Sequence, residues 1–472
     1  MKRSWYILGC LSIVVVTIVL YNSLSFSEFG MQVLGVVGII QLAYSVFSWK
    51  KVTGSALNPY VVFLFSAYIF TFGQSILNVF GKVIDEKALT EMFLPSSIMP
   101  AQYLTLIFLN FFHIGGLLSF KKLKQQTAID TQITMFDEQN RHNQVLGIRK
   151  VGRLFIIMSI IPYIVERVNI FNIVLASGYL GIYEQQAKVG IFNIISILSQ
   201  YFVPGVLCLL LVETSKKKKW FYIAILIAEA GFWLYTGGRS NGVIIASILL
   251  MYYHICVKPI RLKQAIIIGI AGFFFVSSLS VISETRMASK RDVSTIITEN
   301  LGSSNAFYSA ISEMGGSMYP MITTMMLVPD RYDYKYGSSY FFSLTSVIPN
   351  LGFWDLHPAM KYGNMNGWLQ DAMGLNHGPG FSIVAEAYIN FGTFGFLMML
   401  LLGYCFGLIF NINIRDKYNP LLLVLSFVFC FLIIKTVRNS FLATVRSVFY
   451  YILPIYLIVV YIYKGRINKK ML

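Results

Sequence analysis

The 472 residues are 56% apolar and 12% charged, and the formal net charge is +17. A charged share about half the ~25% of soluble domains excludes an ordinary soluble enzyme. With no soluble fold to carry a basic stripe, the excess of Lys and Arg does not indicate nucleic acid. What remains is an all-α, polytopic integral membrane protein.

In chain order, about twelve apolar stretches are long enough to cross a hydrocarbon core of roughly 30 Å. They run 5–22, 29–48, 58–80, 98–119, 152–173, 190–213, 220–236, 241–257, 264–283, 381–411, 419–436 and 445–463. The first lacks a small-residue cleavage site and is expected to stay as an anchor. Clusters at Lys2–Arg3, Lys50–Lys51, Lys121–Lys124, Lys216–Lys219, Lys258–Lys263, Arg415–Lys417 and Lys464–Lys470 alternate with the spans. All fall on one side if both termini are cytoplasmic, as the positive-inside rule requires. The polar stretch 120–151 reads as a cytoplasmic connector, and 284–380 as a large extracytoplasmic loop. These divide the chain into an N-terminal bundle (1–119), a central bundle (152–283) and a C-terminal bundle (381–472). Cys10, Cys208, Cys256, Cys405 and Cys430 all lie in predicted spans, so neither a disulfide framework nor a thiolate metal site is expected.

Against the inward bias of positive charge, Arg239, Arg286, Lys290, Arg291, Arg331, Lys335, Lys361, Arg438 and Arg446 all map to the outer side. Such placement suits an anion held at the outer surface. The turn Thr236-Gly-Gly-Arg-Ser-Asn-Gly242 joins the seventh and eighth spans. Its glycines let backbone approach a ligand, Ser240 or Asn241 can cap the next helix, and a helix N-terminus beside the Arg239 fork favours phosphate. Ser283-Glu-Thr-Arg286, followed by Lys290 and Arg291, adds cations where the ninth span ends. Arg438 and Arg446 bracket a further outer turn, and with the others would complete a cage for a diphosphate. For each of these arginines, snorkelling to lipid headgroups is the bland alternative.

The long loop is aromatic, with Tyr308, Tyr319, Tyr332, Tyr334, Tyr336, Tyr340, Trp354, Tyr362 and Trp368. Stretches 303–314 and 366–374 suit short helices on the bilayer surface, and Tyr332–Tyr340 reads as an aromatic, Gly-containing turn. Aromatic faces with nearby amides and carboxylates fit sugar rings, and equally an interfacial belt. At the loop exit, Ser382, Glu386 and Asn390 recur every four residues and share one helix face. An acid entering an apolar span needs a partner or a wet cavity. Glu386 is therefore a candidate site residue, with Arg239 or Arg438 its expected partner. His357 and His377 are the histidines on the outer side, and His377, flanked by the glycines of the loop exit, is the better general base.

At these residues the chain resembles the Wzy-type polymerases of O-antigen and capsule repeat units. The GGRS turn, the large loop and the exit GPGFSIVAEAYINFGTFG, with Glu386, Tyr388, Asn390, Phe391, Gly392 and Gly395, carry the resemblance. The architecture is also similar to O-antigen ligases and C-type glycosyltransferases. Ligases place a loop His ahead of a Gly-x-x-Gly; here His377 precedes Gly392-Thr-Phe-Gly395 by about one helical turn more, a departure that favours polymerase over ligase. The resemblance implies a donor glycan on undecaprenyl diphosphate, a lipid-linked acceptor, membrane lipid as surroundings, and a chain-length regulator protein as partner. It implies no cofactor, no metal and no nucleic acid. Arg239 and Arg286 would hold the leaving diphosphate, helped by Arg291, Arg438, Arg446 and Ser240. His377 or Glu386 would deprotonate the acceptor hydroxyl, while Tyr388, Asn390 and the loop aromatics position sugars. The competing expectation is a lipid-linked oligosaccharide flippase, which would concentrate polar groups at mid-membrane rather than at one surface.

Overall fold

A computed structural model describes residues 2–82, 88–120, 135–177, 191–236, 239–261, 314–348, 353–375, 378–410 and 419–471, with isolated positions between 263 and 312. The described residues are helices and turns. Nine helices among them are long and apolar enough to cross a membrane. That is fewer than the twelve expected, for three local reasons. Lys216–Tyr235 is a helix, but its first turn consists of the four lysines. Asn241–Val257 is apolar but short. The stretch 264–283 lies largely outside the described residues.

The chain forms two compact units. The first comprises Met1–Lys121, Gly302–Asn413 and Leu432–Ser447. It begins with α1 (Lys2–Ser23), α2 (Glu28–Thr53), α3 (Pro59–Val79) and α4 (Pro95–Ser119). Local chemistry sets the boundaries. Gly54 ends α2 in the left-handed region at φ 85°, which glycine adopts without a Cβ clash. Asn58 then caps α3 by accepting from Val61 N, and Pro59 occupies the first helical position. The closest helix pair is α4 with α15 (Gly395–Phe410). Their backbones touch: a Cβ on Gly403 would sit 1.9 Å from Phe112 O, and one on Gly115 2.0 Å from Leu400 O. Small residues permit this approach, and membrane helices gain attraction from it that lipid does not offer. Phe63, Phe112 and Phe406 fill the seam beside it, with ring centroids 5.1–5.6 Å apart.

The second unit comprises Lys122–Leu301, Ile414–Phe431 and Val448–Leu472. Its spine is α5 (Met135–Ser177), whose 43 residues extend about 64 Å. The polar stretch read as a connector is thus, from Met135 on, the first turns of a spanning helix. Around α5 pack α6 (Ile191–Ser199), α7 (Phe202–Val212) and α18 (Leu453–Met471). Next come α8 (Lys216–Tyr235) and α9 (Arg239–Tyr252), an antiparallel pair. Inside this unit lies an ion pair that the sequence reading missed. Arg167 of α5 forks onto Glu229 of α8, with Nη2–Oε1 2.7 Å and Nε–Oε2 3.3 Å. Trp233 Nε1 donates to the same carboxylate at 2.8 Å, as does the Tyr163 hydroxyl. The Arg167 guanidinium lies 4.6 and 4.7 Å from the ring centroids of Tyr163 and Trp233. Next to it in sequence, Glu166 turns the other way and accepts from Ser196 and Ser199 of α6. The signal was present: three ionisable residues inside predicted spans, each costly unless paired.

Candidate functional site

The described part of the long loop belongs to the first unit. It contains α10 (Tyr319–Leu327), α11 (Ser338–Leu344), α12 (Pro358–Tyr362) and α13 (Met365–Met373). The last matches the short helix expected over 366–374; most of 303–314 lies outside the described residues. The loop returns through α14 (Ile383–Phe391), which the α15 span follows after a break at Gly392. Farther on come α16 (Pro420–Ile433) and α17 (Phe441–Ser447).

Everything here turns on α14. Ser382 caps it, its hydroxyl accepting from Ala385 N at 3.1 Å. Ser382, Glu386 and Asn390 share one face, as their spacing predicted, and all three are fully buried. The expected arginine partner of Glu386 is replaced by two neutral donors. Ser339 Oγ donates to Oε1 at 2.7 Å, and Phe441 N donates to Oε2 at 2.5 Å. Arg438 instead lays its guanidinium 5.4 Å from the Phe70 ring. The physical reason is burial: α11 and the start of α17 close over the carboxyl and bring their own donors, so no guanidinium needs to be desolvated. Glu386 thus binds three elements together and caps the first N–H of α17. Asn390 continues the tie, donating to Ser339 Oγ at 2.7 Å and accepting from Gly337 N at 2.9 Å. The N–H groups of Lys335 and Tyr336 donate to Ile389 O and Asn390 O at 2.8 and 3.0 Å.

This docking shapes the aromatic turn. Tyr336 and Gly337 both take positive φ, 47° and 85°, and a Cβ on Gly337 would crowd the Phe391 ring at 3.3 Å. Tyr388, expected to contact substrate, is buried; its hydroxyl donates to Val328 O at 3.1 Å and its ring packs on Tyr334. Tyr340 is buried beneath the turn, and burial together with the nearby Glu386 charge pushes its hydroxyl well above the usual phenol range. Tyr336 is exposed, and half-buried Trp368 continues the aromatic surface. It stands edge-on to Tyr332 at 5.6 Å, with Lys335 Nζ 5.8 Å from its ring centre.

The cations beside this surface are unpaired. Arg331, Lys361, Arg438 and Arg446 are exposed, and none has a carboxylate partner among the described residues. Arg438 O accepts from Phe381 N at 3.1 Å, which pins the loop exit alongside the arginine's backbone. Arg446 Nη2 lies 3.3 Å from Met360 Sδ. His357 is engaged at both ring nitrogens: Nδ1 accepts from Ala359 N at 3.1 Å, and Nε2 donates to Ile348 O at 2.8 Å. That leaves it no nitrogen free for proton transfer. His377, Arg286 and Arg291 lie outside the described residues. Arg239 and Ser240 open α9 in the second unit, so the arginine does stand at a helix N-terminus; their side chains lie outside what is described.

A membrane-embedded chain, a long loop tied onto a broken helix, and unpaired cations beside aromatic rings are now in view. A model of the family O-antigen polysaccharide polymerase Wzy matches residues 5–471. The chain belongs to that family. Searches of curated proteins and of solved structures give no match. Family membership makes this a multi-pass membrane protein of polysaccharide biosynthesis, with a glycosyltransferase-like polymerase activity on a lipid-linked oligosaccharide.

Proposed function

We propose that this protein joins oligosaccharide repeat units carried on undecaprenyl diphosphate, at the outer face of the cytoplasmic membrane, into O-antigen or capsular polysaccharide. The observation that carries this reading is the family match over nearly the whole chain. Both termini are cytoplasmic, and the active site faces outward. A chain-length regulator acts beside it.

The growing glycan is the donor and a single lipid-linked repeat unit the acceptor. An acceptor hydroxyl attacks the donor's anomeric carbon, the bond from that carbon to the diphosphate oxygen breaks, and charge builds on the leaving diphosphate. The transition state is oxocarbenium-like. Arg239 with Ser240, and Arg286 with Arg291, hold the diphosphate, where fixed donors act on developing charge without reorganising. In the first unit, Arg438 and Arg446 are suited to anionic substrate groups; their exposure, with no carboxylate partner among the described residues, supports that role. His377 takes the hydroxyl proton, because His357 is engaged at both nitrogens. Glu386 and Asn390 act as positioning residues that fix the aromatic turn and the start of α17. Trp368, Tyr332 and Tyr336 offer faces for sugar rings, and Tyr388 supports them from below.

Deleting the gene and complementing with Arg239→Ala tests this. The deletion should collapse the surface polysaccharide ladder to a single repeat, and the variant, at equal protein level, should fail to restore it. Loss of even the single repeat would instead indicate a flippase or ligase.

A further inference from the structure

A loop standing in water buries its large apolar side chains. On α11 and the turn after it, Phe341, Leu344 and Ile348 are 64, 48 and 54% exposed. Phe341 and Leu344, three apart on α11, share a face, and Ile348 follows the 3-10 turn Thr345–Val347.

The backbone of this segment lies below the ends of the helices that flank it. Asn390 is seven residues into the candidate span Ile383–Phe410, and it binds Ser339 and Gly337. At ~1.5 Å per residue, the turn reaches about 10 Å down that helix. On the other flank, Met360 of α12 meets Arg446, five residues into the candidate span Phe441–Ile462. The α4–α15 seam gives an independent ruler. A Cβ on Gly395 would lie 2.7 Å from Phe108, which is eleven residues before the end of α4 at Ser119. Gly395 is therefore about 16 Å from that end of α4, and the break at Gly392, three residues earlier, about 20 Å, still inside a core ~30 Å thick. The segment docked on α14 lies on the far side of that break.

Backbone at such depth is tolerated only where its polar groups are satisfied by protein. At the turn they are: the N–H groups of Lys335, Tyr336 and Gly337 all donate to α14. The rim is cationic, with Lys361 and Arg446 exposed and lacking carboxylate partners among the described residues. Long basic side chains at membrane depth reach up to lipid phosphates.

We propose that residues 335–348 and 353–362 form a re-entrant wedge in the leaflet where Ile383 and Phe441 begin, with Phe341, Leu344 and Ile348 against the acyl chains of bulk phospholipid. In the orientation given above this is the outer leaflet. The wedge does not depend on the polymerase chemistry, so either can fail without the other.

The test is depth-dependent quenching on the full chain in phosphatidylethanolamine–phosphatidylglycerol nanodiscs. Phe341→Cys, Ile348→Cys and Lys217→Cys are made singly in a chain whose five cysteines have been replaced, and each is labelled with nitrobenzoxadiazole. At 341 and 348 the emission should shift to the blue, be quenched by lipid bearing a nitroxide at the acyl 5-position, and lose iodide quenching. At 217 the pattern should reverse. Iodide quenching at 341 and 348 as strong as at 217 would overturn the wedge. So would protection from both quenchers in a chain that migrates as a dimer, because the face would then be an interface between copies. Should the cysteine-free chain not fold, a diazirine-bearing phospholipid on the unmodified protein should label the peptide over 338–348; absence of label there while α1 is labelled would contradict the proposal.

Discussion

Replacing Glu386 separates a brace from a chemical base. Its carboxyl receives the Ser339 hydroxyl at 2.7 Å and the Phe441 N–H at 2.5 Å, in a place with no access to water. Hydrogen bonds to such a group contribute about 1.5–3 kcal/mol each, and orphaned buried donors cost more than bonds exchanged with water. Glu386→Ala should therefore destabilise by about 3–5 kcal/mol after partial relaxation. Glu386→Gln should cost about 1–3 kcal/mol, because one oxygen becomes an NH2 facing a donor. Ser339→Ala should cost about 1–2 kcal/mol, and less in the Glu386→Ala background, since the two share a bond. Thermal unfolding of the detergent-solubilised chain, followed by size-exclusion fluorescence, reads the order Ala, Gln, Ser339→Ala. Polymer made at matched protein level is scored in parallel. If Glu386→Ala melts like the parent yet makes no polymer, the brace is refuted and Glu386 takes part in the chemistry.

Further outcomes follow from other contacts. Tyr340→Phe should be neutral or stabilising by up to about 1 kcal/mol, because the buried Tyr340 hydroxyl has no partner among the described residues, and its melting curve checks this. Arg167→Ala should cost about 3–5 kcal/mol by leaving Glu229 buried and unpaired. By contrast, Arg149→Ala, whose half-buried contact to Glu213 spans a long 3.9 Å, should cost less than Arg167→Ala, about 1 kcal/mol, in the same melt. Gly392→Ala should lose about 1–3 kcal/mol, because φ 57° with ψ −136° excludes side chains, and its Cβ would meet Tyr334 Oη at 3.1 Å. Arg438→Ala with Arg446→Ala should leave melting unchanged and shorten or abolish the polysaccharide ladder; a normal ladder would remove both from anion binding.

Periodicity and capping made much of this fold readable. Gly54, Asn58 and Pro59 announce the α2–α3 turn, and the four-residue spacing of Ser382, Glu386 and Asn390 announces a shared face. What that face binds was not readable. Charge reasoning sought an arginine for Glu386, whereas its partners are a serine 47 residues earlier and a backbone N–H 55 residues later. Neither leaves a compositional mark. The stretch 120–151 is polar enough to read as a connector, yet from Met135 it continues a helix, because polarity excludes burial but not helicity. Arg167 and Glu229 were readable in principle, since charges within apolar stretches demand partners. The aromatic loop read as short helices on the bilayer surface and an aromatic turn, and its docking on Asn390 and Arg446 leaves no mark in composition.

The central claim is tested most directly with the purified chain in lipid vesicles, supplied with a repeat unit on undecaprenyl diphosphate and nothing else. The account predicts a ladder of lipid-linked oligomers, one free undecaprenyl diphosphate released per linkage formed, and neither product from Arg239→Ala. Substrate that crosses the bilayer without lengthening would contradict it.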